Sequence, residues 1–311
     1  FDFLDAAEWL QFSFDGQIDR EHSYEALRRI AEDRSVVIPG FYGVMPDGHI
    51  KVLSRGGSDV TGALAAAALG ADVYENWTDV SGILMADPRI VENPRPIERI
   101  TYNELRELSY MGAQVLHEAS VFPVRQADIP LNIRNTNDPG HPGTLIREHF
   151  EDELESEKNR FITGIAGRRN FSIITMAKNG LSSSIGLRRV LEVFERHNLN
   201  VEYTPSGIDS VSLVVQSGKA ASCLYSILGE LQKEFRPDKL QVAENISIVA
   251  AVGRKMAFRP GISGKIFAAL GENGISIRMI SQGPEELNII VGVDNADFEK
   301  TVRVLYESFV R

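Results

Sequence analysis

Short apolar runs alternate with stretches of helical periodicity between Val36 and Ile146. The apolar runs include SVVIPGFYG at 35–43 and PLNIRN at 130–135, and the helical spacing predicts helices around Thr61–Leu69 and near Tyr102–Leu116. Strands that alternate with helices favour a mostly parallel α/β sheet. We therefore predict that residues 1–148 form an α/β domain.

A highly charged stretch follows this region, with the sequence REHFEDELESEKN at 147–159. Charge runs of this kind are typical of solvated connecting segments. We predict a linker over residues 149–159.

The C-terminal half contains an internal repeat. LNVEYTPSGIDSVSLVV at 199–215 aligns without a gap over ISIRMISQGPEELNIIV at 275–291, and the preceding strand and helix align in the same register. Each repeat then has a second helix, at 220–234 in the first and 296–309 in the second. The order is strand, helix, strand, strand, helix, which predicts two ferredoxin-like units over residues 160–245 and 246–311.

The two repeats differ in their last strand. KLQVAEN at 239–245 supplies a fourth strand to the first repeat, whereas nothing comparable follows Val310 in the second. RFITGIA at 160–166 has no place in the first repeat. We therefore expect residues 160–166 to supply the missing strand of the second repeat.

Composition narrows the class of protein. The chain has 311 residues, 43% of them apolar, and a formal charge of −10 without a long basic block, so a nucleic-acid partner is not expected. A single cysteine, Cys223, excludes an intrachain disulfide framework and favours a reducing compartment. No apolar run approaches the length of a membrane span. We expect a cytoplasmic protein without membrane contact, and because the chain opens on Phe1 in mid-pattern, a fragment of a longer one.

Glycines crowd together immediately before the predicted helix at Thr61–Leu69. Gly56, Gly57 and Ser58 lead into it, and we expect Ser58 or Asp59 to be its N-cap. Glycines before a helix allow backbone N–H groups to approach an anion, and a neighbouring arginine suits a carboxylate or phosphate. Alone the pattern is weak, since it matches no phosphate-loop fingerprint and an ordinary capped turn explains it equally well.

Five longer blocks of sequence show in which kind of protein the glycine cluster occurs. They are IPGFYG at 38–43, LSRGGSDVTGALAAAAL at 53–69, WTDVSGILMADPRI at 77–90, ELSYMGAQVLHEAS at 107–120 and DIPLNIRNTNDPGHPGTLI at 128–146. In this order they resemble the C-terminal part of the catalytic domain of aspartate kinases, which belong to the amino acid kinase family. The two repeats resemble the ACT regulatory domains of those enzymes. The resemblance implies an amino acid kinase fold, with an open, mostly parallel sheet between helices, followed by two ferredoxin-like βαββαβ ACT domains.

The resemblance implies the chemistry as well. Aspartate kinases transfer a phosphoryl group from ATP, with Mg²⁺, to the side-chain carboxylate of L-aspartate, giving 4-phospho-L-aspartate for lysine, methionine and threonine synthesis. The implied catalytic residues are Arg55, which would grip a substrate carboxylate, and Asp59. The implied substrate pocket contains these two residues with Gly57, Ser58 and Phe41.

The implied nucleotide site lies further along the chain. By resemblance, Thr78 and Asp79 would hold the nucleotide. The loop Gly82–Arg89 would follow, in which Asp87 caps or orients the loop and Arg89 reaches the phosphates. From spacing alone, Asp-Pro-Arg at 87–89 favours a mere turn. Gln114 would also line this site, at a position where the family often has lysine.

The chain departs from the family pattern in other ways. Leu84 stands where some members have an aromatic residue, and the Lys-Phe-Gly-Gly opening with its phosphate-binding lysine is absent. We therefore expect the fragment itself to be inactive and its parent protein to be active.

The ACT repeats imply a second kind of site. In ACT dimers of this family small amino acids bind at the subunit interface, between the loop before the first helix and the second strand. Ser183 would receive the ligand carboxylate, and Glu202 and Asp209 would take an ammonium group, with Asn200 beside them. Two carboxylates suit lysine as the effector, although both could instead solvate a sheet edge. The chain would form a homodimer or a higher homo-oligomer through these domains.

Two other functions remain open on the sequence. One is another member of the amino acid kinase family, such as a glutamate, acetylglutamate or uridylate kinase, but those relatives generally lack tandem ACT units. The other is a non-catalytic regulatory subunit that only binds an amino acid. Such a subunit would not need the substrate loop at Arg55 or the nucleotide loop at Thr78. The sequence upstream of Phe1 would distinguish these alternatives.

Overall fold

The computed structural model describes most of the chain and divides it into two compact units. The first unit contains residues 1–85 and 95–158, and the second contains 86–94 and 159–311. The residues outside the description are 55, 114, 115, 117, 152–160, 182, 255, 257–259, 284–286 and 311. Most of the predicted linker at 149–159 therefore lies outside the described residues.

The first unit combines helices with short strands. Its helices are α1 (Arg20–Ile30), α2 (Gly57–Leu69), α3 (Tyr102–Tyr110) and α4 (Glu118–Gln126). Its strands are β1 (Asp2–Phe3), β2 (Val36–Val37), β3 (Tyr42–Val44), β4 (Ile50–Val52), β5 (Tyr74–Thr78), β6 (Ile83–Leu84), β7 (Pro96–Ile97), β8 (Arg99–Thr101), β9 (Leu131–Asn135) and β10 (Thr144–Arg147). The helix predicted near Tyr102–Leu116 is α3, which ends at Tyr110.

A four-stranded sheet in the order β5-β9-β10-β8 organises this unit. β5 and β9 are parallel, as are β10 and β8, whereas β9 and β10 are antiparallel. Because β5 and β9 run in the same direction, their carboxyl ends, Thr78 and Asn135, meet as register partners. In α/β sheets ligands bind beyond such carboxyl ends.

Helices α1 and α2 enclose an apolar core next to these strands. It includes Trp9, Leu10, Leu27 and Leu64, all of which are buried. Two helices begin at polar N-cap residues. Asp19 caps α1, and Thr101 caps α3 in a capping box with Glu104. These caps fix where α1 and α3 begin.

The second unit contains the repeats. Its elements are β11 (Gly164–Ala177), α5 (Ser184–Arg196), β12 (Ser210–Gln216), α6 (Ser217–Ala220), α7 (Leu224–Phe235), β13 (Lys239–Val252), α8 (Ile262–Glu272), β14 (Met279–Ser281), β15 (Asn288–Asp294) and α9 (Phe298–Val310). They form one five-stranded antiparallel sheet in the order β12-β11-β13-β15-β14.

Two long strands run through both repeats. β13 joins the last strand of the first repeat to the first strand of the second, and β11 pairs with it along its length. Residues 164–168, which precede the first repeat, pair with residues 248–252, the opening strand of the second repeat. The division into ACT domains at 160–245 and 246–311 stays a prediction, since the two halves share a continuous sheet.

Candidate functional site

The N-terminus of α2 starts from a glycine in a left-handed conformation. Gly56 is the N-cap with φ of 81°, and it provides no side-chain hydrogen bond to the helix. The prediction that Ser58 or Asp59 caps the helix is therefore wrong. A left-handed Gly56 turns the chain into the helix before either residue, which places Ser58 and Asp59 within the first turn. Because the first N–H groups of a helix have no partner within it, this end favours an anion.

The ring of Phe41 lies against this first turn. A methyl group added at Gly57 would lie 2.7 Å from Phe41 Cδ2 and 2.6 Å from Leu53 Cβ, so only glycine fits there. Phe41 itself has φ of 84°, a conformation that is rare and costly for a bulky residue. Its N–H donates to Thr61 Oγ1 at 3.1 Å. The structure thus brings Phe41, Gly57 and the residues after it together, and Phe41 is 41% exposed.

Asp59 is held from the side by β5. Its Oδ1 accepts a hydrogen bond from Asn76 Nδ2 at 3.0 Å, and its carbonyl oxygen accepts one from Tyr74 Oη at 3.1 Å. Burial raises the pKa of Tyr74, so the hydroxyl keeps its proton and can donate. Sequence reasoning missed both side chains of β5, because nothing in the pattern shows that this strand lies beside the first turn of α2.

The carboxyl end of β5 presents Thr78 and Asp79. Thr78 Oγ1 donates to Asp79 Oδ1 at 3.2 Å, and the Thr78 carbonyl accepts from both the N–H and the hydroxyl of Thr136, at 2.8 and 2.9 Å. Asn135 Nδ2 donates to Ser81 Oγ at 2.7 Å. The end of β9 therefore fixes the loop after β5. Thr136 and Asn135 were missed, although their place at the end of a neighbouring parallel strand was a usable signal.

Gly82 lies where a side chain cannot fit. Its φ is 98°, and a Cβ there would lie 2.4 Å from Thr144 Oγ1. The Thr144 hydroxyl is buried and fully engaged: it donates to the Ile97 carbonyl at 2.6 Å and accepts from the Ile83 N–H at 2.8 Å. Gly82 thus allows the loop to pass directly over a buried hydrogen-bonded hydroxyl.

Asp87 and Arg89 form a compact turn in the second unit. The guanidinium of Arg89 donates to both Asp87 oxygens, to Oδ1 at 2.9 Å and to Oδ2 at 2.6 Å, and holds the pKa of that carboxyl below its usual range. The Asp87 carbonyl accepts the N–H groups of Ile90 and Val91, and Arg303 Nε of α9 donates to the Ile90 carbonyl at 2.9 Å. Asp87 therefore orients Arg89, and the turn is tied to a helix of the second repeat.

The proposed effector residues have different surroundings. Ser183 is the N-cap of α5, and its hydroxyl accepts from the Gly186 N–H at 3.2 Å. The Asp209 carbonyl accepts from the Lys178 N–H at 2.8 Å, which connects Asp209 to the loop before α5. Glu202 lies 3.4 Å from an Arg168 guanidinium nitrogen. Asn200 is exposed.

Two of the predicted site residues, Arg55 and Gln114, lie outside the described residues. Among the residues that are described, no cluster of three or more His, Cys, Asp and Glu could hold a metal ion. No helix in the described part of the chain is long and apolar enough to cross a membrane.

Two family matches agree with this architecture. Residues 3–135 match the amino acid kinase family, and residues 249–309 match an ACT domain. The fold is accordingly that of an amino acid kinase domain followed by ACT domains.

Similar proteins identify the family within the amino acid kinases. Aspartokinase 3 of Bacillus subtilis is 36% identical over 290 residues, covering 92% of this chain and 63% of the relative. The crystal structure of Clostridium acetobutylicum aspartate kinase is 48% identical with a TM-score of 0.89, covering 99% of this chain and 70% of that one. The chain belongs to the aspartokinase family, which confirms the resemblance found in the sequence. It spans less than two thirds of the B. subtilis relative.

Escherichia coli aspartokinase III provides structures in two states. The complex with aspartate and ADP, in the R-state, is 29% identical with a TM-score of 0.75, covering 100% of this chain and 70% of that one. The complex with lysine and aspartate, in the T-state, is 29% identical with a TM-score of 0.77, covering 100% of this chain and 69% of that one.

Proposed function

We propose that the full-length protein is an aspartate kinase, which phosphorylates the side-chain carboxylate of L-aspartate with ATP and is controlled by an amino acid bound to its ACT domains. The observation that carries this proposal is the first turn of α2, where a strained Phe41 covers Gly57 and Asp59 is held in place. Support comes from E. coli aspartokinase III, which was solved with aspartate and ADP and matches this chain along its whole length.

Each group around α2 has a distinct role in the proposed substrate site. The N–H groups of the first turn, with Ser58 and Arg55, would bind a carboxylate of aspartate, since both the helix end and a guanidinium favour negative charge. Asp59 would accept the substrate ammonium group. Phe41 would close the apolar side of the pocket and exclude water.

The proposed nucleotide site begins at the carboxyl end of β5. Thr78 and Asp79 would contact ATP, and Gly82 would belong to the same site, because it lets the loop after them pass closely over Thr144. The turn that orients Arg89 would provide positive charge to the phosphates, with Gln114 as a further contact. Phosphoryl transfer depends mainly on alignment and on electrostatic stabilisation, so these positions fit the chemistry.

Mg²⁺ would be bound together with ATP. It usually keeps several waters and binds through substrate phosphates with one or two carboxylates, so it does not require an acidic cluster of the kind that is not found among the described residues. Asp79 is the carboxylate at the end of β5 that fits this role. The ion would neutralise charge on the transferred phosphoryl group.

Lysine is the effector that we propose for the ACT domains. E. coli aspartokinase III was solved with lysine and aspartate, and this chain offers Ser183, Asn200, Glu202 and Asp209 around the loop and strand before and after α5. We also propose ACT domains at 160–245 and 246–311, a homodimer or higher homo-oligomer formed through them, and a cytoplasmic location.

A panel of phosphoryl acceptors tests the proposed activity. The full-length protein is incubated with ATP and Mg²⁺ plus aspartate, glutamate, N-acetylglutamate or UMP, and ADP release is followed. Of the four acceptors, we expect only aspartate to cause ADP release. Asp59→Asn should raise the KM for aspartate and leave the KM for ATP unchanged, whereas Asp72→Asn, an exposed acid after the end of α2, should change neither. Release with another acceptor, or with none, would contradict the proposal.

A further inference from the structure

A three-residue network links β5 to the acidic residue in the first turn of α2. Asn76 Nδ2 donates to Asp59 Oδ1 at 3.0 Å and also lies 3.3 Å from Tyr74 Oη. Tyr74 Oη in turn donates to the Asp59 carbonyl at 3.1 Å. The side chain and the backbone of Asp59 are therefore held from the same strand.

The two residues of β5 that form this network are themselves fixed. Asn76 is only 8% exposed. Tyr74 stands against Gly62 of α2, where an added Cβ would lie 2.7 Å from Tyr74 Oη. Buried polar groups with good partners define one arrangement of their surroundings, since any other arrangement leaves them without hydrogen bonds. The network thus restricts the rotamer of Asp59.

Restricting Asp59 has a consequence for ligand binding. A carboxylate has two oxygens that accept hydrogen bonds, and Asn76 engages only Oδ1. Among the described residues, the structure gives Oδ2 of Asp59 no hydrogen bond. An oxygen that is held in place and still has its lone pairs suits a ligand ammonium group.

We propose that Asn76 and Tyr74 are positioning residues for substrate: they orient the Asp59 carboxylate so that Oδ2 receives the ammonium group of the amino acid. This inference rests on the proposed function, because it requires that Asp59 binds aspartate. It assigns a role to two side chains of β5 that do not themselves touch the substrate. The affinity for aspartate should therefore depend on them, and the affinity for ATP should not.

Steady-state kinetics of the full-length enzyme test this dependence. Asn76→Leu removes the amide donor and keeps the branched shape, and the KM for aspartate should rise by about 10- to 100-fold, the factor that loss of a hydrogen bond to a charged group represents. Tyr74→Phe keeps the ring against Gly62 and should raise the same KM by about 2- to 10-fold, as for a neutral hydrogen bond. In both variants kcat and the KM for ATP should change much less.

A neighbour on the same strand provides the control. The Glu75 carboxylate binds Arg134 at 2.9 Å and accepts from Trp77 Nε1 at 3.1 Å, so it has partners outside the network. Glu75→Gln should leave both KM values unchanged. A general disturbance of β5 would instead alter this variant as much as Asn76→Leu.

A pH profile separates positioning from mere support of the fold. Asn76→Asp places a second carboxyl next to Asp59, and two carboxylates this close share one proton. Near pH 8 both are charged and repel, so the KM for aspartate should rise strongly relative to the wild type. As the pH falls toward 6, the introduced carboxyl takes up a proton and can donate as the amide does, so the ratio of the two KM values should fall.

Three results would overturn the inference: an unchanged KM for aspartate in Asn76→Leu, equal losses for aspartate and ATP, or a KM ratio for Asn76→Asp that is independent of pH. If Asn76→Leu does not fold, Tyr74→Phe and Asn76→Asp decide by the same criteria. Failure of the proposed function is visible separately, because the wild-type enzyme would then not phosphorylate aspartate at all.

Discussion

Replacement of Gly82 by alanine is a sharp test of how the loop after β5 is built. Gly82 has φ of 98°, and the new methyl group would lie 2.4 Å from Thr144 Oγ1 and 3.0 Å from the Thr144 nitrogen. Neither atom can move easily, because Thr144 is fully buried and belongs to β10. The substitution therefore combines backbone strain with a steric conflict.

The free-energy cost of each effect can be estimated separately. A side chain at a left-handed backbone position costs roughly 1–2 kcal/mol. Displacing Thr144 would break its hydrogen bonds to the Ile97 carbonyl and the Ile83 N–H, and a buried polar group left without a partner costs about 1–3 kcal/mol. We expect Gly82→Ala to lower the local opening free energy by roughly 2–5 kcal/mol, the sum of these two ranges.

Hydrogen exchange measured by mass spectrometry can detect this loss in the peptides that cover β6 and β7. A local readout is preferable, because a chain with two compact units need not unfold in one step. Gly48→Ala is the matched control: its φ is 85°, but no atom lies within 4 Å of the added methyl group, so it suffers strain alone. If Gly82→Ala lowers the opening free energy of β6 and β7 no more than Gly48→Ala lowers that of its own peptide, the methyl group does not conflict with Thr144.

Thr144→Ala completes a double-mutant cycle. It removes the hydroxyl that the new methyl group meets, so the double variant should lose less stability than the sum of the two single variants. Additive losses would mean that Gly82 and Thr144 do not conflict.

Three further predictions concern the other sites. Gly57→Ala should raise the KM for aspartate, because the methyl group displaces the phenyl ring of Phe41, although alanine has the better helix propensity. Kinetics identical to the wild type would argue against the packing of Phe41 on Gly57. Arg89→Leu should raise the pKa of Asp87, followed by carbon NMR. Since the folded pKa lies below the unfolded one, this pair stabilises the turn at neutral pH and the stabilisation is lost as the pH falls through the folded pKa; an unchanged pKa would contradict the pairing. Glu202→Gln should weaken inhibition by lysine in the full-length enzyme, and full inhibition would exclude Glu202 from the effector site.

The repeats and the class of fold could be predicted because their signals are local and redundant. The gapless alignment of 199–215 over 275–291 repeats the same strand and turn spacing twice, and the helical spacing before each copy agrees with it. The observed helices α5 and α8 lie where that spacing predicts them. Consistency at several levels is what makes a pattern informative.

The details of the site were less accessible, for physical reasons. Serine and aspartate are the better N-caps by propensity, but a left-handed Gly56 begins α2 without a side-chain cap, which a propensity scale does not anticipate. Asn76 lies 17 residues from Asp59 in the chain, and only the packing of β5 beside α2 brings them to 3.0 Å. Gly82 is a similar case, since Thr144, the residue that it contacts, is 62 positions away and belongs to another strand.

The chemical identity of the product decides whether the full-length protein is an aspartate kinase. The full-length protein is supplied with ATP, Mg²⁺ and aspartate in the presence of hydroxylamine, which converts an acyl phosphate into a stable hydroxamate. The account predicts aspartyl hydroxamate formed at the side-chain carboxyl group, in amounts equal to the ADP released. Hydroxamate at the α-carboxyl group, or ADP released without hydroxamate, would contradict it.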